Sequence, residues 1–302
     1  MTRDFLDVDD LDREELLDVL DRALGLKSRQ KRGAPHRKLP GRTLAMFFEK
    51  PSTRTRVSFE TGMTQLGGHA IFLGRDDLQL GRGEPVSDTS RALSRYVDVI
   101  MGRVFEHAEI VEFARHADVP VINGLTDDAH PCQTLADLLT IREIFGSFDV
   151  SAAWVGDGNN VAQSFAIGAA MLGIDLTVAT PPGYGLDPAV IERAADAGEP
   201  PTVVEDPAEA VAGADVVYTD VWVSMGQEDE REEKLADFDG YQVNASLLAN
   251  ADDPRVMHCL PAHREEEITA EVLESDRSVV WQQAENRLHA QKGLLVELVA
   301  LS

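Results

Sequence analysis

Cysteine is nearly missing from this chain. Among 302 residues only Cys132 and Cys259 carry a thiol. Neither stands in a CxxC pair or in a Cys/His cluster of ligand spacing, so a disulfide scaffold and a metal centre both lack support. A single bridge between the two is geometrically open, but without a secretion signal free thiols are the better reading. No metal and no cofactor is therefore expected. Long apolar runs are missing too: nothing approaches the roughly 20 residues that cross a bilayer. The stretch Met1 to Asp10 is acidic, without the basic-then-apolar order of a secretion signal, and the expected location is cytoplasmic. Positive charge is scarce. Lys and Arg number 28 against 53 Asp and Glu, a net charge of −25. Such a chain is repelled by nucleic acid and anionic membranes, and neither is expected as a partner.

What is present is an ordinary folding composition, with 43% apolar residues and length enough for two domains. There is no low-complexity tract or internal repeat. Runs such as Asp7-Val8-Asp9-Asp10 and Glu228-Asp229-Glu230 read as solvated acidic surface. They fit any acidic soluble protein. They also fit adaptation to high salt, where the screening length shrinks to roughly 3 Å at 1 M. The second reading is carried forward.

A short apolar strand, a polar or glycine-rich turn and a helical pattern recur along the chain, which predicts an α/β fold of two doubly wound domains, each with a parallel sheet. Strands are expected at 43–48, 70–73, 97–101, 119–122, 152–155, 176–179, 216–218 and 255–258. Helices are expected after Pro51, with Val57, Phe59, Met63 and Leu66 at helical spacing, and over 135–145, 160–170 and 285 to the end. The domains are placed at 1–135 and 136–284, with helix 285–302 packing back on the first. Ser52, Arg103, His130, Asn160, Asp220 and Cys259 all fall at or just past a strand's carboxyl end, where open parallel sheets bind ligands. One cleft between two facing sheets is expected to hold them.

Lys50-Pro51-Ser52-Thr53-Arg54-Thr55-Arg56 follows a strand and opens a helix, which gathers free N–H groups, hydroxyls and a bidentate guanidinium. Alone it is equally a Ser/Thr helix cap. In a chain this acidic, clustered arginines favour an anion, and the missing GxxxxGK[ST] pattern excludes a nucleotide P-loop, so the anion is a small phosphate compound.

FEKPSTRTRVSFE resembles the carbamoyl phosphate signature of the aspartate and ornithine carbamoyltransferases. LQLGRGEP, IMGRV, INGLTDDAHPCQTLAD, VGDGNN, VYTDVWVSMGQE, MHCLPAHR and QAENRLHAQK follow in that family's order, from about Leu39 to the end of the chain. His-Cys-Leu-Pro and Ser-Met-Gly resemble the ornithine branch. Residues 263–267 and 161–164 depart from the family's wording, away from the positions that carry roles. The resemblance implies transfer of a carbamoyl group from carbamoyl phosphate to the side-chain amine of L-ornithine, in a homotrimer or a multiple of trimers. It implies that Ser52, Thr53, Arg54 and Thr55 hold the phosphate, that Arg103 bridges phosphate and carbonyl oxygen, and that His130 donates to that oxygen. Gln133 would hold the carbamoyl nitrogen, Leu260 would offer its carbonyl, Arg287 would complete the site, and Gln79 would reach in from a neighbouring subunit. Asn160, Asp220, Ser224 and Met225 would bind ornithine. Cys259 would orient the amine and handle its proton. Catalysis would thus rest on Arg103, His130, Asp220 and Cys259.

Two other classes remain. A dinucleotide-binding oxidoreductase would use Gly156-Asp157-Gly158, but the third glycine position is Val161, and Thr180-Pro181 replaces the acidic residue a ribose needs. A non-catalytic sensor on the same fold should have lost one of Arg54, Arg103, His130 or Cys259. A sister transferase acting on putrescine or an acylated ornithine is the nearest alternative, and Asp220 with Ser224-Met225-Gly226 favours free ornithine.

Overall fold

The computed structural model describes residues 3–77, 83–224, 226 and 228–300. It divides into two compact units, residues 1–139 with 286–302 and residues 140–285.

The first unit is a parallel sheet of β1 (Thr43–Phe48), β2 (His69–Gly74), β3 (Val99–Arg103) and β4 (Val121–Leu125), in the order β2-β1-β3-β4. Around it lie α1 (Arg13–Lys31), α2 (Thr53–Leu66), α3 (Val86–Leu93), α4 (His107–His116), the start of α5 (Pro131–Phe145) and most of α12 (Val280–Ala300). β1 and β3 are apolar almost throughout, as a parallel sheet covered on both faces requires. One face packs Ala45, Phe47, Ile100 and Val121 against Ile110 and Phe113 of α4. α12 is pinned at close range: a Cβ on Gly293 would come 2.6 Å from the carbonyl oxygen of Val19 in α1.

The second unit repeats the scheme with β5 (Ser151–Val155), β6 (Asp175–Ala179), β7 (Thr202–Val204), β8 (Val216–Thr219) and β9 (Arg255–His258), ordered β7-β6-β5-β8-β9 and all parallel. Its helices are α6 (Asn160–Leu172), α7 (Pro188–Ala197), α8 (Pro207–Val211), α9 (Arg231–Asp237), α10 (Ala245–Leu248) and α11 (Ala270–Leu273). Among the described residues no helix is long and apolar enough to cross a membrane.

Several local expectations shift. α5 begins at Pro131, ahead of the apolar periodicity at 135, because proline suits the first helical position and its neighbours Cys132, Gln133 and Thr134 are buried without belonging to the apolar pattern. α12 starts at Val280 rather than 285, since a β-branched valine at its head, directly after Val279, masks the helical pattern. Val57 is 54% exposed on α2, off the buried stripe of Phe59, Met63 and Leu66. β7 and α1 have no counterpart in the expectations above.

Each sheet has one place where the chain reverses its direction of travel between neighbouring strands: between β1 and β3, and between β5 and β8. Loops leaving the carboxyl ends of such a pair diverge and leave a crevice between them. Those loops carry Ser52 and Arg103 in the first unit, and Asn160 and Asp220 in the second.

Candidate active site

In the first unit Ser52 caps α2, its Oγ accepting from the Thr55 amide at 3.3 Å and donating to Thr55 Oγ1 at 3.1 Å. The first turn of α2 holds no acidic residue, against the composition of the whole chain, so its free amides and dipole keep their positive character. Thr53 and Arg54 are exposed there and Thr55 is buried. Arg103 closes β3 with its side chain buried, and its carbonyl accepts the Glu49 amide at 2.9 Å, which extends the β1–β3 pairing up to the loop.

Arg287 on α12 ties these parts together. Nη2 donates to Thr55 Oγ1 at 3.2 Å and Nη1 to Gln133 Oε1 at 2.7 Å, while Gln133 Nε2 donates to Asp137 at 2.8 Å. The Gln133 amide is thereby fixed in orientation within α5. His130, immediately before that helix, is buried, and its pKa is held well below the ordinary imidazole value. Burial is the main cause, followed by the guanidiniums of Arg287, Arg103 and Arg54. It is therefore a neutral imidazole at physiological pH. Cys132 is a different matter: its thiol is buried against the Asn123 carbonyl at 3.3 Å and burial pushes its pKa up to about 12, which marks it as packing.

In the second unit Asp220, just past β8, accepts the Cys259 thiol on Oδ1 at 2.8 Å and Asn159 Nδ2 on Oδ2 at 2.8 Å. Asn159 also caps α6, its Oδ1 accepting from the amides of Val161 and Ala162 at 3.0 and 3.1 Å. Asn160 follows as the first residue of α6, and Ser224 is half-buried on the loop after β8. Behind Cys259, the Leu260 amide donates to His258 Nδ1 at 2.9 Å, so the ring proton sits on Nε2 and points at Glu267 Oε1, 3.0 Å away. Leu260 itself is held at φ +60°, an uncommon backbone for a branched side chain. Gln79 and Met225 lie outside the described residues.

Gly158 explains the dinucleotide-like run. A Cβ there would meet the backbone carbonyl of Gly185 at 2.6 Å, so this glycine accommodates the protein's own loop, not a pyrophosphate. Two first-turn amides of α6, those of Val161 and Ala162, are already taken by Asn159.

Among the described residues, two groups of ligand-type atoms lie within 4.8 Å of one another, Asp220/His258/Cys259 and His263/Glu266/Glu267. In the first, a metal would have to displace a bond from each ring nitrogen of His258 that it approached. In the second, Glu266 is paired with Arg231.

Sequence reasoning passed over Asn159, Asp137 and His258. The first two had readable signals: an asparagine at a helix N-cap, and a carboxylate one helical turn beyond Gln133. The tautomer of His258 needed coordinates.

A family profile described as "Aspartate/ornithine carbamoyltransferase, carbamoyl-P binding domain" matches residues 3–143, and "Aspartate/ornithine carbamoyltransferase, Asp/Orn binding domain" matches 149–298. The chain is 68% identical over 297 residues to the ornithine carbamoyltransferase of Haloquadratum walsbyi, covering 98% of this chain and 97% of that one. It is 54% identical over 299 residues to the anabolic ornithine carbamoyltransferase of Pyrococcus furiosus, covering 97% and 95%. The solved structure of a Pyrococcus furiosus ornithine carbamoyltransferase superposes with a TM-score of 0.95 over 99% of this chain and 97% of that one.

Proposed function

Since the chain belongs to the aspartate/ornithine carbamoyltransferase family, we propose that it transfers the carbamoyl group of carbamoyl phosphate to the side-chain amine of L-ornithine, giving L-citrulline and phosphate. One observation carries the reading: in a chain of net charge −25, an acid-free helix start faces a set of guanidiniums, two of them buried, around a neutral buried imidazole.

The roles follow from the chemistry. The amides and hydroxyls of Ser52, Thr53 and Thr55, with Arg54, hold the phosphate dianion. Attack on the carbonyl carbon moves negative charge onto its oxygen, and donors aimed there stabilise the transition state more than the ground state. Arg103, Thr55 and the neutral imidazole of His130 fill that role; one such donor is worth about 3–4 kcal/mol. Gln133, held by Arg287 and Asp137, orients the carbamoyl nitrogen, and the Leu260 carbonyl accepts from it. Asp220 pairs with the α-amino group of ornithine, and Asn160, Ser224 and Met225 bind its backbone end. An ornithine side-chain amine with a lysine-like pKa near ~10.4 must lose its proton first, a cost of roughly 4–5 kcal/mol at pH 7. Cys259, hydrogen-bonded to Asp220, orients that amine and handles the proton, and the departing phosphate is the final acceptor.

Finer readings go with this one. The direction is synthetic, toward arginine, in keeping with the name of the anabolic relative. The chain works in the cytoplasm as a homotrimer or a multiple of trimers, with Gln79 completing a neighbour's site, and its acidic surface is an adaptation to high salt. The helix from 285 onward belongs with the carbamoyl phosphate domain.

The test is an acceptor panel of L-ornithine, N-acetylornithine and putrescine, each with carbamoyl phosphate in dilute and molar KCl. Ornithine should give by far the highest kcat/KM. A higher value for either alternative amine would overturn the substrate assignment.

A further inference from the structure

Asp220 and Asn160 reach the ornithine subsite from loops that leave two different strands, β8 and β5, and something must fix the spacing of those loops. Lys234 on α9 is placed to do so. Its side chain is only 6% exposed, and Nζ donates to Asp157 Oδ2 at 2.8 Å and to the Trp222 carbonyl at 3.1 Å. Asp157 lies on the β5 loop just before Asn159 and Asn160. Trp222 lies on the β8 loop midway between Asp220 and Ser224. One ammonium therefore bonds to both loops.

The surroundings make this a rigid strut. The Asp157 carbonyl accepts the Trp154 indole N–H at 3.0 Å, and the Trp222 ring stacks on Phe238 with centroids 5.3 Å apart. Tyr184, whose ring lies 5.5 Å from the ammonium, donates its hydroxyl to Asp237 on the same helix at 2.8 Å. Burial raises the Asp157 pKa and its hydrogen bond with Lys234 opposes that shift.

We propose that Lys234 is a positioning residue for the amino-acid substrate: by clamping the Asp157 loop to the Trp222 carbonyl it sets the separation of Asn160 and Asp220 from Ser224, and with it the affinity for ornithine. The inference rests on the ornithine-site reading above. The two loops that Lys234 bonds both belong to the ornithine subsite, so its effect falls on the ornithine KM and not on the other.

Steady-state kinetics of the full-length protein with both substrates test it. Lys234→Met should raise the ornithine KM about tenfold or more, reduce kcat less, and leave the carbamoyl phosphate KM within about twofold. Lys234→Arg, which keeps the charge and can reach both acceptors, should recover most of the loss, and Asp157→Asn should show the same selective rise. If Lys234→Met does not fold, the Arg and Asn variants decide the matter. A fall in active enzyme or thermal midpoint with an unchanged ornithine KM would overturn the inference, as would equal rises in both KM values. Asp220→Asn is the reference. Should it leave the ornithine KM untouched, the underlying site reading fails. If it raises that KM and the Lys234 and Asp157 variants do not, only the present inference fails.

Discussion

At the scale of single residues, His130 shows how placement turns an ordinary side chain into a tool. In water an imidazole has a pKa near ~6.5 and would be part-charged at neutral pH. Buried beside Arg287, Arg103 and Arg54 it stays neutral and can only lend an N–H to a developing oxyanion. The same shift has a stability consequence. Below the unfolded pKa the unfolded chain binds a proton that the folded chain refuses, so stability falls as pH drops, by about 1.4 kcal/mol per pH unit from this group. His130→Gln should flatten the acid limb of a denaturant-midpoint profile below pH 6.5 and lower kcat by about two to three powers of ten. An unchanged profile would mean that the imidazole is charged in the folded protein. Arg54→Ala, at an exposed position of the phosphate-facing turn, should mainly raise the carbamoyl phosphate KM. Arg287→Gln removes the link from Thr55 to Gln133 and should lower kcat as well, measured in the same assay.

At the scale of elements, close backbone approaches decide what the loops can be. Gly158 packs against the carbonyl of Gly185, and a methyl group there would force the β5 loop away from its neighbour. Gly158→Ala should cost about 1–3 kcal/mol in urea unfolding and raise the ornithine KM together with it. A fully stable variant would contradict the packing. The alternation of strand and helix was legible in the sequence because β1, β3, β5 and β8 are buried on both faces and read as apolar runs. β7 was not, since an edge strand with two exposed residues has no such pattern. Ser52, Arg103 and His130 were placed from their motifs. The bonds that orient Thr55 and Gln133 were not legible, because Arg287 is remote from both in sequence and Asp137 is featureless in one dimension. Lys234 was illegible for the same reason: in sequence it is one charge in an acidic run, and only the fold brings Asp157 and Trp222 to it.

At the scale of the whole molecule, charge dominates. With net charge −25 and few lysines, the compact chain repels itself, and added salt shortens the range of that repulsion. The thermal midpoint should rise between dilute buffer and molar KCl, and one unchanged over that range would refute salt adaptation. Exposed ion pairs such as Arg42–Asp98 and Arg264–Glu274 weaken at the same time, but each is worth at most about 1 kcal/mol. Self-repulsion therefore sets the sign.

The most direct trial of the account follows the transferred atom itself. The protein is incubated with L-ornithine and carbamoyl phosphate labelled with carbon-13 in the carbonyl group, and the label is traced by NMR while phosphate is assayed in parallel. The account predicts that the label appears in the ureido carbon of citrulline, one phosphate is released per citrulline, and His130→Ala slows both equally. Phosphate release without labelled citrulline, in dilute and molar salt alike, would contradict it.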